Sequence, residues 1–157
     1  MDRLKMAVGS LAGVGYLPAG PGTWGSLFSL FLLYPAALLS GNAGLMTAAL
    51  AGSLLTLWVA DCCEKRWGTD PPRMVIDEFA GQALVFLFIP FTGAFIPDAA
   101  YLAAGFALFR FFDIVKPLAI KRLQHFPSGF GILFDDLLAG LYALTCLHIG
   151  IYFISVL

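Results

Sequence analysis

From residue 6 to residue 60 the chain carries no Asp, Glu, Lys or Arg, and further uncharged runs cover 79–97, 99–109 and 137–157. A hydrocarbon core about 30 Å thick takes roughly 20 apolar helical residues to cross, somewhat fewer where the bilayer thins. Residues 137–157 reach that length outright, and 79–97 reach it with Pro90 as a kink or an end. Residues 24–39 and 45–63 flank the turn-forming Ser40-Gly41-Asn42-Ala43-Gly44, so they read as a helical hairpin. A further span over 99–115 carries Arg110 and Asp113 within it. The expected fold is all-α: a polytopic membrane helical bundle of about five spans, or four plus a re-entrant N-terminal segment.

Composition agrees. The 157 residues are 60% apolar and 12% charged, with a mean hydropathy of +0.87, and a soluble domain of this size needs more polar surface. No repeat, linker or low-complexity tract divides the chain, which reads as a single membrane domain over 1–157. Arg3 and Lys5 precede an apolar stretch, but Gly9, Gly13 and Gly15 interrupt it before Pro18, which makes a poor signal-peptide core. It reads as a retained interfacial or re-entrant segment. The three cysteines include an adjacent pair and no CxxC spacing, so neither a disulfide framework nor a zinc site is expected. A net charge of -1 without a basic run excludes nucleic acid as a partner, and no obligate protein partner is evident.

With the N-terminus in the cytoplasm and five spans threaded, every charged residue except Asp98 falls at or near the cytoplasmic face. All 9 Lys and Arg are among them, as the positive-inside rule requires. The carboxylates gathered with them do not set topology. Ionisable groups at membrane helix ends are kept where they pair, bind ions or do chemistry. Asp2, Asp61, Glu64 and Asp70 read as solvated loop charges.

Four clusters lie at junctions of loop and expected helix. Pro18 to Ser26 is a Gly/Pro loop opening a helix at Thr23 or Ser26, an anion site or simply a cap. Asp77-Glu78 stands at the start of the third span, where acidic residues also complement the helix dipole. Arg110, Asp113 and Lys116 fall at i, i+3 and i+6, along one side of a helix that Pro117 ends, and an ion-pair ladder is the plain alternative. Asp135-Asp136 is delivered by a Gly-containing loop to the first turn of the last span. Adjacent carboxylates repel unless a cation sits between them. Oxygen ligands without His or Cys suit Mg²⁺ or Mn²⁺ before Zn²⁺, since His148 lies deep in the last span and His125 in a loop. Such a cation with Arg and Lys nearby is recurrent equipment for phosphate.

At these residues the sequence resembles the phosphatidylglycerophosphatase A family. The resemblance rests on Pro21-Gly22-Thr23-Trp24-Gly25-Ser26-Leu27, Ile76-Asp77-Glu78-Phe79-Ala80-Gly81, Phe109-Arg110-Phe111-Phe112-Asp113-Ile114-Val115-Lys116-Pro117, and Gly129-Phe130-Gly131-Ile132-Leu133-Phe134-Asp135-Asp136-Leu137-Leu138-Ala139-Gly140, in the family's order. It implies a Mg²⁺-dependent phosphatase of the bacterial inner membrane, its site facing the cytoplasm, that converts phosphatidylglycerophosphate to phosphatidylglycerol. Where the family often carries a second proline after Lys-Pro, this chain reads Pro117-Leu118-Ala119-Ile120.

On this reading Asp77, Glu78, Asp135 and Asp136 supply metal ligands, while Arg110 and Lys116 hold phosphate charge. Thr23 and the Gly22 backbone add neutral hydrogen bonds. Asp113, Asp136 and Lys116 stand nearest the chemistry, with Asp113 open between ligand, base and nucleophile. Attack by water is favoured, because no DxD motif of the aspartyl-phosphate enzymes is present. Pro127-Ser128-Gly129 resembles the motif of type 2 phosphatidic-acid phosphatases, but Phe130 stands where that family has histidine. The spacing of the CDP-alcohol phosphotransferases is missing too. An ion transporter lined by carboxylates is the alternative from another class. It would need a polar route through the spans.

Overall fold

The computed structural model describes residues 1–117, 120, 126 and 129–156; Leu118, Ala119, His125, Pro127 and Ser128 lie outside them. The described residues form five α-helices and no strand: α1 (Asp2–Gly9), α2 (Pro21–Trp67), α3 (Ile76–Val85), α4 (Phe95–Val115) and α5 (Phe130–Val156), with a 3-10 turn at Val14–Tyr16. Helices α2, α4 and α5 are long and apolar enough to cross a membrane. Their outward faces carry side chains such as Leu39, 85% exposed, and Ile154, 77% exposed, which demand hydrocarbon rather than water around them.

The 47 residues of α2 are two arms, because Gly41 leaves helical geometry at φ 56, ψ -141. A Cβ on Gly44 would stand 2.6 Å from the Ala36 carbonyl oxygen. Eight residues of straight helix would separate those positions by about 12 Å, so the chain folds back sharply, and the expected hairpin is present. Helix α2 starts at Pro21, earlier than the expected Thr23 or Ser26, because Gly20 at φ 85 turns the chain and Pro21 is preset for the first helical position. It also runs on to Trp67, so Asp61 and Glu64 lie on a helix and not in a loop.

The span expected over 79–97 is corrected. Helix α3 has 10 residues, about 15 Å and half a bilayer core. Pro90 explains the early stop: its ring would clash with the carbonyl four residues back, at Phe86, where the helix ends. The freed amides turn inward. Thr92 and Gly93 donate backbone N–H bonds to Asp98, at 3.1 Å and 2.7 Å, and the Tyr34 hydroxyl donates to the same carboxylate at 2.9 Å. Asp98 is buried on α4, not in an outer loop.

The last helix begins at Phe130, seven residues before the expected 137, so Asp135 and Asp136 lie beyond its first turn instead of capping it. Helix α1 is too short to span and packs on the end of α2, with Gly9 against Cys63 and the Gly9 carbonyl accepting from the Val75 N–H at 2.9 Å.

The core joins α2 to α5 through Leu33, Leu45, Ala83, Phe86, Phe109 and Ala139. Its tightest seam lies between α3 and α5. A Cβ on Gly81 would come 2.6 Å from the Asp136 carbonyl oxygen, and one on Gly140 would strike the Gly81 carbonyl. Small residues allow this backbone approach where lipid supplies no hydrophobic drive between helices. Gly140→Ala is therefore expected to lower stability by about 1–3 kcal/mol through overpacking, read as a lower Tm in detergent. Gly150→Ala on the same helix meets open space and should be neutral or slightly stabilising.

Candidate active site

One helical turn before each of those glycines stands a carboxylate: Asp77 before Gly81 and Asp136 before Gly140. The α3–α5 contact therefore sets the two acidic pairs beside each other. The last turns of α4 close the third side and the start of α2 the fourth. A cleft of about 260 Å³ results, lined by Gly20 to Gly22, Asp70 to Pro72, Asp77, Glu78, Arg110, Asp113, Lys116, Asp135 and Asp136. Six carboxylates face two cations there.

The charges form one network. Arg110 Nη1 lies 2.8 Å from Asp113 and 3.1 Å from Glu78. Lys116 Nζ lies 2.5 Å from Asp135 and 4.0 Å from Asp113. The ladder along α4 is thus present, but its cations also reach the acids of α3 and α5, which an intrahelical ladder would not need. Ser26, fully buried, donates to Glu78 Oε2 at 2.5 Å and accepts from Arg110 at 3.4 Å.

Two cations do not satisfy this many acids. Asp77 Oδ1 and Asp136 Oδ2 are buried without a hydrogen-bond partner, as is Arg110 Nε. Burial, with the charge of Glu78 beside it, holds the Asp77 carboxyl well above the usual carboxylate range. Burial likewise pushes the Glu78 carboxyl up to about 7, against the pull of Arg110 and the Ser26 hydroxyl. Burial works to lower the Lys116 ammonium, but the hydrogen bond and charge of Asp135 prevail and hold it raised. Asp77 and Glu78 do lie in the first turn of α3, where they complement the helix dipole as the plain alternative expected, but that role does not account for the ion pair of Glu78 with Arg110.

Among the described residues no three His, Cys, Asp or Glu side chains form a group that could hold a metal ion. The orphaned oxygens of Asp77 and Asp136 instead fit Mg²⁺, which keeps several waters and takes one or two carboxylates together with substrate phosphate.

Of the residues expected in the site, Gly22, Asp77, Glu78, Arg110, Asp113, Lys116, Asp135 and Asp136 all line the cleft. A Cβ on Gly22 would collide with Glu78 Oε1 and stand 3.1 Å from both terminal nitrogens of Arg110, so α2 reaches the ion pair only because residue 22 is glycine. Thr23 is exposed and does not line the cleft; the hydroxyl on this face is Ser26. Helical spacing carries that signal, because Gly22 and Ser26 share a face at i, i+4 while the next residue is turned away. Asp70, read as a plain loop charge, stands at the cleft's edge. A larger groove of about 580 Å³ between α1 and α2 is lined by Asp2, Lys5, Asp61 and Lys65. Its Lys65–Asp61 contact, at 3.9 Å, is solvent-exposed on both sides, and such pairs contribute little.

Known proteins align with most of this sequence. A Bacteroides thetaiotaomicron protein, provisionally named a phosphatidylinositol-3-phosphatase, is 37% identical over 94% of this chain and 93% of its own length. Proteins named phosphatidylglycerophosphatase A from Haemophilus influenzae and Escherichia coli are 35% and 31% identical, over 83% and 94% of this chain and 78% and 86% of theirs. No solved structure matches. The sequence profile of the family described as Phosphatidylglycerophosphatase A matches residues 7–151, and the chain belongs to that family.

Proposed function

We propose that this protein is a membrane lipid phosphatase that hydrolyses the terminal phosphate of phosphatidylglycerophosphate, with Mg²⁺, to phosphatidylglycerol and phosphate. The observation that carries the reading is the pair of unpaired, buried carboxylate oxygens, on Asp77 and Asp136, beside Arg110 and Lys116. An acidic cleft repels a phosphate dianion unless a cation is bound, and a bound Mg²⁺ would supply charge neutralisation of the phosphoryl oxygens.

The chain's own groups do the rest. Asp77 and Asp136 offer the metal its oxygens, with Glu78 and Asp135 beside them. Arg110 has an unpaired Nε–H for a phosphate oxygen, and Lys116 adds a point charge. Asp113, ion-paired to both, holds Arg110 and Lys116 in register. This favours a positioning part over a nucleophilic one. Water adds to phosphorus, the bond from phosphorus to the glycerol oxygen breaks, and the alkoxide takes a proton to leave as the alcohol.

The rival transporter reading lacks support in the core. Beyond the cleft Gln82 is buried with its amide unpartnered, but the core cluster of the helices, Leu33, Phe86 and Phe109 among it, is apolar, and Asp98 is engaged by Tyr34, Thr92 and Gly93.

Purified protein in detergent should release phosphate from phosphatidylglycerophosphate faster than from phosphatidylinositol 3-phosphate, the lipid in the name of one relative. EDTA should abolish release and Mg²⁺ restore it. Faster release from the inositol lipid would change the substrate, and full activity after metal removal would end the cation's role.

Asp77→Asn, Glu78→Gln, Asp135→Asn and Asp136→Asn should fold and lose on the order of a hundredfold or more in kcat, whereas Asp61→Asn should stay active. Near-normal rates at low Mg²⁺ in all four would move the site elsewhere. Gly22→Ala should cost at least about tenfold in kcat/KM by displacing Glu78 or Arg110, with little change in Tm. For orientation, single cysteines replacing Lys65 and Asn42, in protein without its native cysteines, should label from opposite faces of oriented vesicles, Lys65 from the cytoplasmic one. Labelling of both from one face would refute that topology.

A further inference from the structure

Three of the seams around the cleft are closed. Gly25 and Gly52 of α2 press on Val75 and Ala80 at the α3 side, Gly81 and Gly140 lock α3 to α5, and the Phe112 and Tyr142 rings pack α4 on α5. The seam between the first arm of α2 and α4 differs. The two helices touch far less than α2 and α3 do. Polar contacts clasp them at two heights, Ser26 with Arg110 at the cleft and Tyr34 with Asp98 deeper in. Along this seam, from below the upper clasp to just past the lower one, runs a groove of about 320 Å³, lined by Leu27, Leu30 and Phe31 of α2 and by Phe95, Ala99 and Leu102 of α4, with almost no polar surface.

We propose that this groove binds one acyl chain of the lipid whose phosphate enters the cleft, an assignment that rests on the lipid-phosphatase reading. Continuity identifies the occupant. Leu30 lies one turn beyond Ser26 on the same face of α2, so on that helix the groove starts just below the polar site, and the eight residues from Ser26 to Tyr34 carry it about 12 Å into the apolar zone. A lipid with its phosphate between Arg110 and Lys116 must pass its chains out through a seam, and the α2/α4 seam is one that carries an apolar groove below the cleft. Transfer from bilayer to groove gains little hydrophobic energy, since lipid tails are as apolar as leucine. The groove instead fixes depth and orientation, so that the phosphate arrives at the height of Arg110. Chain-bearing substrates would then be favoured through positioning.

The test compares two substrates with one headgroup, phosphatidylglycerophosphate with long chains and its dihexanoyl form, on protein with Ala99→Trp or Leu30→Trp. Blocking the groove should lower kcat/KM for the long-chain lipid on the order of tenfold and leave the dihexanoyl rate near wild type. Equal losses on both substrates, or none on either, would overturn the assignment. Because a tryptophan variant can fail to fold, wild-type protein is also labelled with long-chain phosphatidylglycerophosphate carrying a diazirine on its chain. Adducts should concentrate on Leu30, Phe31, Ala99 and Leu102 and fade with excess unlabelled substrate. Adducts spread along exposed α5 positions such as Phe153, without competition, would mean ordinary surrounding lipid and refute the groove. If wild-type protein hydrolyses neither substrate, the phosphatase reading fails while the adduct pattern still decides the groove.

Discussion

The backbone contact between Gly81 and Gly140 brings α3 and α5 closer than any side chain would allow, and the geometry of the acids follows from it. Each glycine lies four residues beyond a buried aspartate, so closing the seam forces Asp77 and Asp136 into one space. Neither carboxylate is free to swing out to solvent, because both helices are anchored in the apolar core. A bundle that packed more loosely here would let the acids separate, lower their mutual repulsion and lose the demand for a cation. Tight packing by small residues and concentrated negative charge are thus two aspects of one contact.

Around that contact the network is unbalanced by design of position. Arg110, on the last turns of α4, and Lys116, on the left-handed residue just past its end, answer only some of the acids, Glu78, Asp113 and Asp135. A structure in search of stability alone would neutralise every buried charge or replace it with apolar packing. The unanswered oxygens carry a cost that binding can offset. Ser26 belongs to the same logic, since its hydroxyl bonds the Glu78 oxygen nearest Arg110.

Much of this was legible in the sequence. Uncharged runs located the apolar helices, Gly41 within its turn located the hairpin, and the four motif blocks contained ten of the fifteen residues lining the cleft, with Gly20 and the wall from Asp70 to Met74 outside them. Three things were not legible. Residues 79–97 carry no charge and Pro90 read as a kink or an end, but its action four residues upstream, which ends α3 at Val85 and leaves it half a span, was not foreseen. The start of α5 was hidden because Phe130 to Asp136 reads as a Gly-containing loop, yet burial of Ile132 and Leu133 against the bundle makes it helix. The choice of Thr23 over Ser26 followed composition, where helical phase would have favoured the residue four beyond Gly22.

The break after α3 also bears on how the chain enters a membrane. A ten-residue helix followed by exposed amides cannot settle in hydrocarbon by itself, since each unanswered N–H there costs several kcal/mol. Its missing acceptor is the Asp98 carboxylate, which lies on the next helix. That carboxylate in turn would be an isolated charge in lipid without the Thr92 and Gly93 amides and the Tyr34 hydroxyl. Each half answers polar groups of the other, so neither α3 with its following loop nor α4 is expected to settle in the bilayer alone, and Tyr34 of the earlier hairpin completes the set.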